Sequence, residues 1–217
     1  MTHPVHFQVE MPVGRRNRLL ALLRPVLVIP HLLVVGGPAL GLLGGGYRTG
    51  ALGAVALLFA LFDWVAILVG LGPRPGLQPL KYLYLRWRAR TLAYAAFLRD
   101  EYPPLGEREY PVVLTLPEPP ETRDRLEVAL RPLLVLPHVL VLVFLLIAWV
   151  VVAFISWLLL AIRGTMPASL WRFSRDVMAY SLRLEAYALL VHDVYPPFVL
   201  TDTAEEAVGA PPAEART

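Results

Sequence analysis

Long apolar blocks alternate with shorter charged segments along this chain. The apolar stretches at 19–43, 51–71 and 133–162 are each long enough to cross a bilayer, because a membrane-spanning helix needs about 20 apolar residues. Segments 77–98 and 168–191, which follow the second and third blocks, have a helical pattern that mixes basic and aromatic residues. The pattern predicts an all-α integral membrane protein.

The same pattern occurs twice. Residues 18–33, RLLALLRPVLVIPHLL, match residues 125–140, RLEVALRPLLVLPHVL, at an offset of 107. Residues 100–104 match 193–197 at an offset of 93, so the first copy carries 14 additional residues, placed most simply around 44–50. Both matched segments occur in the same order in the two halves of the chain, which predicts two divergent repeats.

Each copy has the same order of elements. A short alternating segment, at 5–9 or 112–116, predicts a strand with one covered face. An apolar block and an amphipathic helix follow, and we expect the strands of the two copies to pair. We place the copies at 1–105 and 106–201, and the Ala/Glu/Pro-rich composition of 202–217 predicts a disordered tail.

The apolar blocks predict helical hairpins, with two possible topologies in the second copy. In the first copy, two apolar stretches joined by a glycine-rich turn predict a transmembrane or re-entrant helical hairpin. The block 133–162 is either a second hairpin with a turn near 144–147 or one long tilted span. Arginines flank this block on both sides. Because basic flanks face the cytoplasm, a hairpin is favoured.

The composition changes the range of possible functions. Apolar residues make up 57% of the chain, charged residues 17%, and the mean hydropathy is +0.57, whereas soluble domains are about 45–50% apolar. The absence of cysteine excludes disulfides, thiolate metal sites and cysteine nucleophiles. The sequence contains no phosphate-binding loop, dinucleotide fingerprint or zinc-protease motif. We therefore expect no enzymatic activity, cofactor, metal site or nucleic-acid partner.

Basic and aromatic residues of the two amphipathic helices are typical of helices at a membrane interface. There, arginine and lysine meet anionic head groups while aromatic rings lie at the level of the lipid carbonyls. We predict interfacial, lipid-facing positions for Lys81, Arg86, Trp87, Arg88, Trp171, Arg172 and Arg175.

A further set of polar residues recurs in both copies. Ionisable residues in or beside a membrane segment are candidates for function, although a snorkelling arginine, or a histidine that satisfies backbone groups near a proline, has a structural role. Asp63, which is replaced by Ser156 in the second copy, could join the histidines in a proton or ion path. The repeated positions are Arg24, His31, Arg90, Asp100, Arg131, His138, Arg183 and Asp193.

The second copy carries a series of motifs along its length. They are Tyr110-Pro111-Val112, the Arg125, Arg131 and Pro137-His138 run, Trp157, the Arg163-Gly164-x-x-Pro167 corner, Arg183, Tyr187 and the exit Asp193-x-Tyr195-Pro196-Pro197-Phe198. In these motifs the copy resembles a bacterial membrane family, the domain of unknown function 4389, which would then be present here in tandem. The first copy resembles it more loosely, since Leu105 replaces the final phenylalanine. The resemblance implies a membrane location and no particular activity.

We expect a small non-catalytic membrane subunit that anchors, scaffolds or helps assemble a larger membrane complex. Its partners would be the lipid bilayer and other membrane protein subunits. The expected location is the bacterial inner membrane, with several passes and both termini in the cytoplasm. Two alternatives stay open: an oligomeric transporter or channel with a His/Asp relay, and a lipid-binding or bilayer-shaping protein.

Overall fold

The computed structural model describes residues 3–37, 50–105 and 108–200, which are mostly helical. The predicted tail at 202–217 and most of the predicted glycine-rich turn lie outside these residues. The elements in chain order are β1 (His6–Val9), α1 (Arg18–Leu27), α2 (Ile29–Val35), α3 (Gly50–Leu68), a single 3-10 turn (Pro75–Leu77), α4 (Gln78–Ala95), β2 (Val112–Thr115), α5 (Arg125–Arg163) and α6 (Ala168–Ala188).

The two strands pair antiparallel, as the alternating segments predict. Phe7 lies opposite Leu114 at the centre of the pairing. Alternate side chains, including Phe7, Leu114 and Val112, are buried in the core with residues of α4 and α6, because successive side chains of a strand point to opposite faces. The sheet therefore joins the two copies and covers the polar helices.

The second apolar block is one helix, α5, of 39 residues, and the predicted turn near 144–147 is wrong. Asp124 caps the first turn, and Gly164 ends the helix with a φ of 71°, a conformation that costs glycine little. The residues after Pro137 contain no glycine or proline until that cap, so nothing interrupts helix propagation. At 1.5 Å per residue, α5 is about 58 Å long.

One face of α5 is covered along its whole length. The buried residues are separated by three, four or seven positions, which places them on one stripe of a helix. Large apolar side chains on the other face are exposed from one end to the other. The stripe consists of Val128, Arg131, Val135, His138, Leu142, Trp149, Ser156 and Leu160.

Helices α1, α2 and α3 follow one another in a line, so the hairpin predicted for the first copy is also wrong. The Trp64 indole N–H donates to the Val128 carbonyl at 2.8 Å, and the Trp157 indole N–H donates to the Leu22 carbonyl at 3.5 Å. Val128 and Trp157 are 29 residues apart in α5, or about 43 Å. Leu22 and Trp64 must be similarly far apart, whereas the two arms of a hairpin would place them side by side.

The extra length of the first copy falls at one point of this line. Helix α2 ends at Val35 and α3 begins at Gly50, and 14 residues separate them. A β-carbon at Gly50 would stand 2.4 Å from the Val34 carbonyl oxygen, so the facing helix ends are in contact. The 14 additional residues are thus accommodated at the position where α5 runs uninterrupted.

The polar helices α4 and α6 lie inside the molecule. They pack on each other, on the apolar helices and on the sheet, and 14 of the 21 residues of α6 are buried. Most exposed large apolar side chains belong instead to α1, α2, α3 and α5. The fold has three layers: the apolar helices, the polar helices and the sheet.

Three segments are long and apolar enough to cross a membrane, which suggests a membrane protein. They are Arg18–Val35, Gly50–Leu68 and Arg125–Arg163.

Candidate functional site

Asp100 holds the start of the first apolar segment against the end of α4. Arg16 donates to it from Nε at 2.6 Å, and Arg24 donates to the same carboxylate. Arg24 also donates to the Arg99 carbonyl at 3.0 Å and lies over the Tyr94 ring. Burial alone would raise the pKa of Asp100, but the two guanidinium groups hold it below its ordinary value.

The same contacts recur around Asp193. Arg123 and Arg131 donate to its carboxylate at 2.5 and 2.6 Å. Arg131 also donates to the His192 carbonyl at 3.0 Å and lies over the Tyr187 ring. These residues correspond one by one to those of the Asp100 cluster, at the offsets of 107 and 93.

Each cluster also satisfies a strained backbone position. Phe97 and Leu190 both have a φ of 59°, which is uncommon for residues with a side chain. The Phe97 carbonyl accepts a hydrogen bond from Arg16, and the Leu190 carbonyl accepts one from Arg123, both at 2.8 Å. The two clusters therefore act as clamps between an apolar and a polar helix.

The repeated histidines also make corresponding contacts. The Trp87 indole N–H donates to His31 Nδ1 at 2.9 Å. Because an indole N–H can only donate, the proton of a neutral His31 is on Nε2. His138 Nδ1 lies 2.7 Å from the Tyr180 hydroxyl, and its ring stacks on Phe198. Both histidines pack in the interior.

One buried ion pair belongs to the first copy alone. Lys81 donates to Asp63 at 2.5 Å and to the Leu189 carbonyl at 3.1 Å. The corresponding residues of the second copy are Ser156 and Ser174, which are buried and uncharged. Both charges of this pair are thus replaced together in the second copy.

The residues suggested for a relay occupy three separate places. His31 binds Trp87, His138 binds Tyr180, and Asp63 binds Lys81 and the Arg74 backbone N–H. Within the part of the chain that the structure describes, none of the three contacts another. A connected path through them would need further groups.

A second buried pair lies where α4 and α6 meet. Arg88 donates from Nε to Glu185 at 2.5 Å, and the Tyr84 hydroxyl donates to the other oxygen of Glu185 at 2.6 Å. Burial raises the pKa of Tyr84 well above its ordinary value, so this hydroxyl keeps its proton. Arg88 also donates to the Val35 carbonyl at 2.7 Å, at the end of α2.

The predicted lipid-facing set divides into exposed and buried residues. Arg86 and Arg172 are exposed, and Trp87 is half-buried. The prediction is wrong for the other residues of the set, because polar side chains inside a protein with an apolar exterior must pair with one another. Those buried residues are Lys81, Arg88, Trp171 and Arg175.

The remaining repeated arginines are Arg183 on α6 and Arg90 on α4. Arg183 donates to the Val199 and Leu200 carbonyls, at 3.1 and 2.7 Å. Arg90 borders a groove of about 930 Å³ that runs along β2 beside Arg86. Of the repeated positions, Arg24 is therefore in contact with Asp100 and Arg131 with Asp193, whereas Arg90 and Arg183 lie elsewhere.

A family model described as a domain of unknown function (DUF4389) matches residues 48–106 and 125–199, more than half of the chain. The chain belongs to this family. The two matched segments are consistent with tandem copies of the domain. No curated protein and no solved structure matches the chain, and the family description names no activity.

The first DUF4389 match begins where the helix line of the first copy is interrupted. At the offset of 93, its first residue, 48, corresponds to 141 in the second copy. The part of the second match before that position, which corresponds to α1 and α2, has no counterpart in the first match. The 14 additional residues therefore separate the first two helices from the matched part of their copy.

Several residues of these clusters were not identified from the sequence. Arg16 and Arg123 were missed although they correspond at the offset of 107, and following that match upstream of residue 18 would have found them. Glu185 and Tyr84 are not repeated, since the corresponding residues of the other copy are Leu92 and Val177. Only the packing of α4 on α6 brings that pair together.

Proposed function

We propose that this protein lies in one leaflet of a membrane, binds lipid there and shapes the bilayer without catalysing a reaction. The observation that carries the proposal is the apolar outward face of α1–α3 and α5. Leu126, Phe144 and Ile162, spaced along α5, are each at least 60% exposed. Continuous apolar surface of this kind is unfavourable in water and favourable against acyl chains.

The layer on the opposite side supports an orientation in the plane of the membrane. Arg88 contacts Val35 at the midpoint of the α1–α3 line, and its neighbours Arg86 and Arg90 border β2. If α5 crossed the bilayer, the exposed Arg86 and the edge of β2 would lie at hydrocarbon depth. Charged groups and open sheet edges are not stable in contact with lipid there.

An orientation parallel to the membrane removes this conflict. It places both ends of α5, with the exposed Arg125 and Arg163, at the same aqueous interface. A helix of about 58 Å is then not required to match a hydrocarbon core of about 30 Å. Because basic flanks face the cytoplasm, we place the protein in the cytoplasmic leaflet of the bacterial inner membrane, with both termini in the cytoplasm.

Insertion into a single leaflet would also act on the shape of the bilayer. Two adjacent helical lines, each more than 50 Å long, would expand the leaflet that contains them and leave the opposite leaflet unchanged. Insertion of amphipathic structures at this depth depends on curvature and on anionic lipid. The protein is therefore proposed to favour and stabilise curved membrane.

The depth of three positions of α5 tests this orientation. Leu126, Phe144 and Ile162 are successively 18 residues apart, which is five helical turns, so they share one face. The chain lacks cysteine, so each position can be changed singly to cysteine, spin-labelled, and measured for depth in vesicles of phosphatidylcholine and phosphatidylglycerol. We expect equal, shallow depths. A deep Phe144 label between two shallow end labels would overturn the in-plane orientation.

A pair of matched variants tests lipid insertion and shaping together. Phe144→Arg places a charge on the apolar layer, and Gln8→Arg places one on the exposed face of β1. We expect Phe144→Arg to weaken vesicle binding at least tenfold and Gln8→Arg to leave it unchanged. Electron microscopy of vesicles with the wild-type protein should show narrow or tubular membranes. Fully bound protein on undeformed vesicles would contradict the shaping role.

A role as an assembly subunit is a second proposal, supported by the groove of about 930 Å³ beside β2. An exposed strand edge next to a groove is a site where another protein can add a strand. Gentle detergent extraction followed by native mass spectrometry tests this role. A stoichiometric second protein would support it, and a lone chain or closed homo-oligomer would contradict it.

A further inference from the structure

An apolar crevice of about 360 Å³ lies between α3 and α5. Its walls are Leu57, Ala60, Leu61 and Trp64 on α3, and Pro132, Val135, Leu136 and Val139 on α5. Leu61 and Leu136 are more than half exposed, so the crevice opens on the same outward surface as the apolar layer. Its volume is within the range of small-molecule sites. At about 30 Å³ for a group the size of a water molecule, the crevice has room for about twelve such groups.

One residue that lines the crevice is charged. Arg131 lines it, and the side chain of Arg131 is 3% exposed. The terminal nitrogens of Arg131 bind Asp193, Glu127 and two carbonyl oxygens, but its buried Nε has no hydrogen-bond partner among the described residues. Arg131 is thus largely satisfied by the protein, and the other wall residues named above are apolar apart from the Trp64 indole N–H, which is bound to the Val128 carbonyl. An apolar slot of this kind matches the hydrocarbon of an acyl chain.

The two copies differ at this place. The crevice residues Leu61, Val139 and Leu190 have larger counterparts in the equivalent region of the other half, namely Phe154, Leu32 and Phe97. Other wall residues are the same in both, such as Trp64 and Trp157 or Ala60 and Ala153. Three smaller side chains thus line the crevice in one half, and the larger residues at the corresponding positions are accommodated by the same fold in the other half.

We infer that the crevice between α3 and α5 binds one acyl chain of a membrane phospholipid. This inference rests on the proposed function, because the crevice opens on the layer that we place in lipid. The bound chain fills the space between the two helix lines at the Arg131 end of α5. The smaller side chains of this half make it the stronger of the two equivalent positions.

The test exchanges residues between the two halves. The triple variant Leu61→Phe, Val139→Leu, Leu190→Phe introduces the residues of the other half and should close the crevice. The reciprocal variant Phe154→Leu, Leu32→Val, Phe97→Leu should open an equivalent one. Each full-length protein is purified in detergent, mixed with dioleoyl phosphatidylglycerol and examined by native mass spectrometry.

We expect the wild-type chain to retain one phospholipid, the closing variant to retain none and the reciprocal variant to retain two. Equal retention by wild type and closing variant, or a retained species with a mass other than that of the phospholipid, would overturn the inference. Thermal unfolding followed by circular dichroism confirms that each variant is folded. If the closing variant does not fold, the single change Val139→Leu replaces it, with an expected drop in retained lipid of several-fold, and unchanged retention again overturns the inference.

Vesicle binding separates this inference from the function on which it rests. The closing variant should bind vesicles of phosphatidylcholine and phosphatidylglycerol as well as wild type, since its outward face stays apolar. Wild-type protein that fails to bind vesicles would contradict the proposed function. If wild-type protein binds vesicles but retains no more phospholipid than the closing variant in native mass spectrometry, only the crevice site is contradicted.

Discussion

Changing Asp63 to serine should destabilise the protein strongly, because it leaves the Lys81 ammonium buried without a counter-charge. Lys81 is 0% and Asp63 is 1% exposed, and their charged groups are 2.5 Å apart. Removing one partner of a buried pair costs about 3–5 kcal/mol. The cost cannot exceed that of removing the proton from Lys81, because the lysine can become neutral instead of staying charged. For a lysine of ordinary pKa 10.5, deprotonation at pH 7 takes about 5 kcal/mol.

The second copy suggests the compensating change. Ser156 and Ser174 stand where Asp63 and Lys81 stand in the first copy, so the double variant Asp63→Ser, Lys81→Ser reproduces a pair that this fold already contains. We expect the double variant to be at least about 2 kcal/mol more stable than Asp63→Ser alone. Ser156→Ala is the matched control, with an expected cost below about 1 kcal/mol.

The assay is equilibrium unfolding by denaturant in detergent micelles, followed by tryptophan fluorescence at pH 7, 8 and 9. Burial lowers the pKa of Lys81 while Asp63 raises it, so the variant without Asp63 should hold a lysine that is neutralised more easily. Its deficit relative to wild type should shrink by up to about 1.4 kcal/mol per pH unit above 7. A deficit below about 1 kcal/mol, or one that is independent of pH, would refute the reasoning.

Two further predictions concern the clamps and the response to acid. Asp100→Asn and Asp193→Asn should each lower the free energy of unfolding by about 1–3 kcal/mol, and a clear loss for only one of them would contradict the equivalence of the two clusters. Burial lowers the pKa of His192 from 6.5 to about 3, so below pH 6.5 the unfolded chain takes up a proton that the folded chain does not. The stability that depends on neutral His192 is therefore complete above pH 6.5 and is lost by up to about 1.4 kcal/mol per unit as the pH falls towards 3. His192→Gln should flatten this slope in acid unfolding followed by circular dichroism, and an unchanged slope would count against it.

Local pattern was enough to predict the strands and most of the helices. Alternation at 5–9 and 112–116 predicted β1 and β2, and the basic amphipathic segments correspond closely to α4 and α6. The hairpins failed because basic flanks on both sides of an apolar block were interpreted as evidence for two crossings. A continuous helix lying parallel to the membrane has the same flanks, and the sequence alone does not distinguish the two.

The placement of individual side chains was harder to predict. Lys81 and Arg88 are of residue types that are typical of a membrane interface. They are nevertheless buried in the protein, because Asp63 and Glu185 supply counter-charges there. Those partners are 18 and 97 residues away along the chain, and only the packing of α4 with α3 and α6 brings them together. The clamps around Asp100 and Asp193 were easier to anticipate, because the repeat places equivalent residues at both.

The strand pairing has a consequence for synthesis. β1 is synthesised before its partner β2, which begins at Val112. The backbone N–H of Arg16, which follows β1, donates to the carbonyl of Gly164. At a translation rate of about 5–20 residues per second, β2 is synthesised roughly 5–20 s after β1. Gly164, which binds the backbone before the first apolar helix, is synthesised later still. Neither half can complete these contacts by itself, so a chain that stops between the copies would end as an open half with uncovered apolar helices.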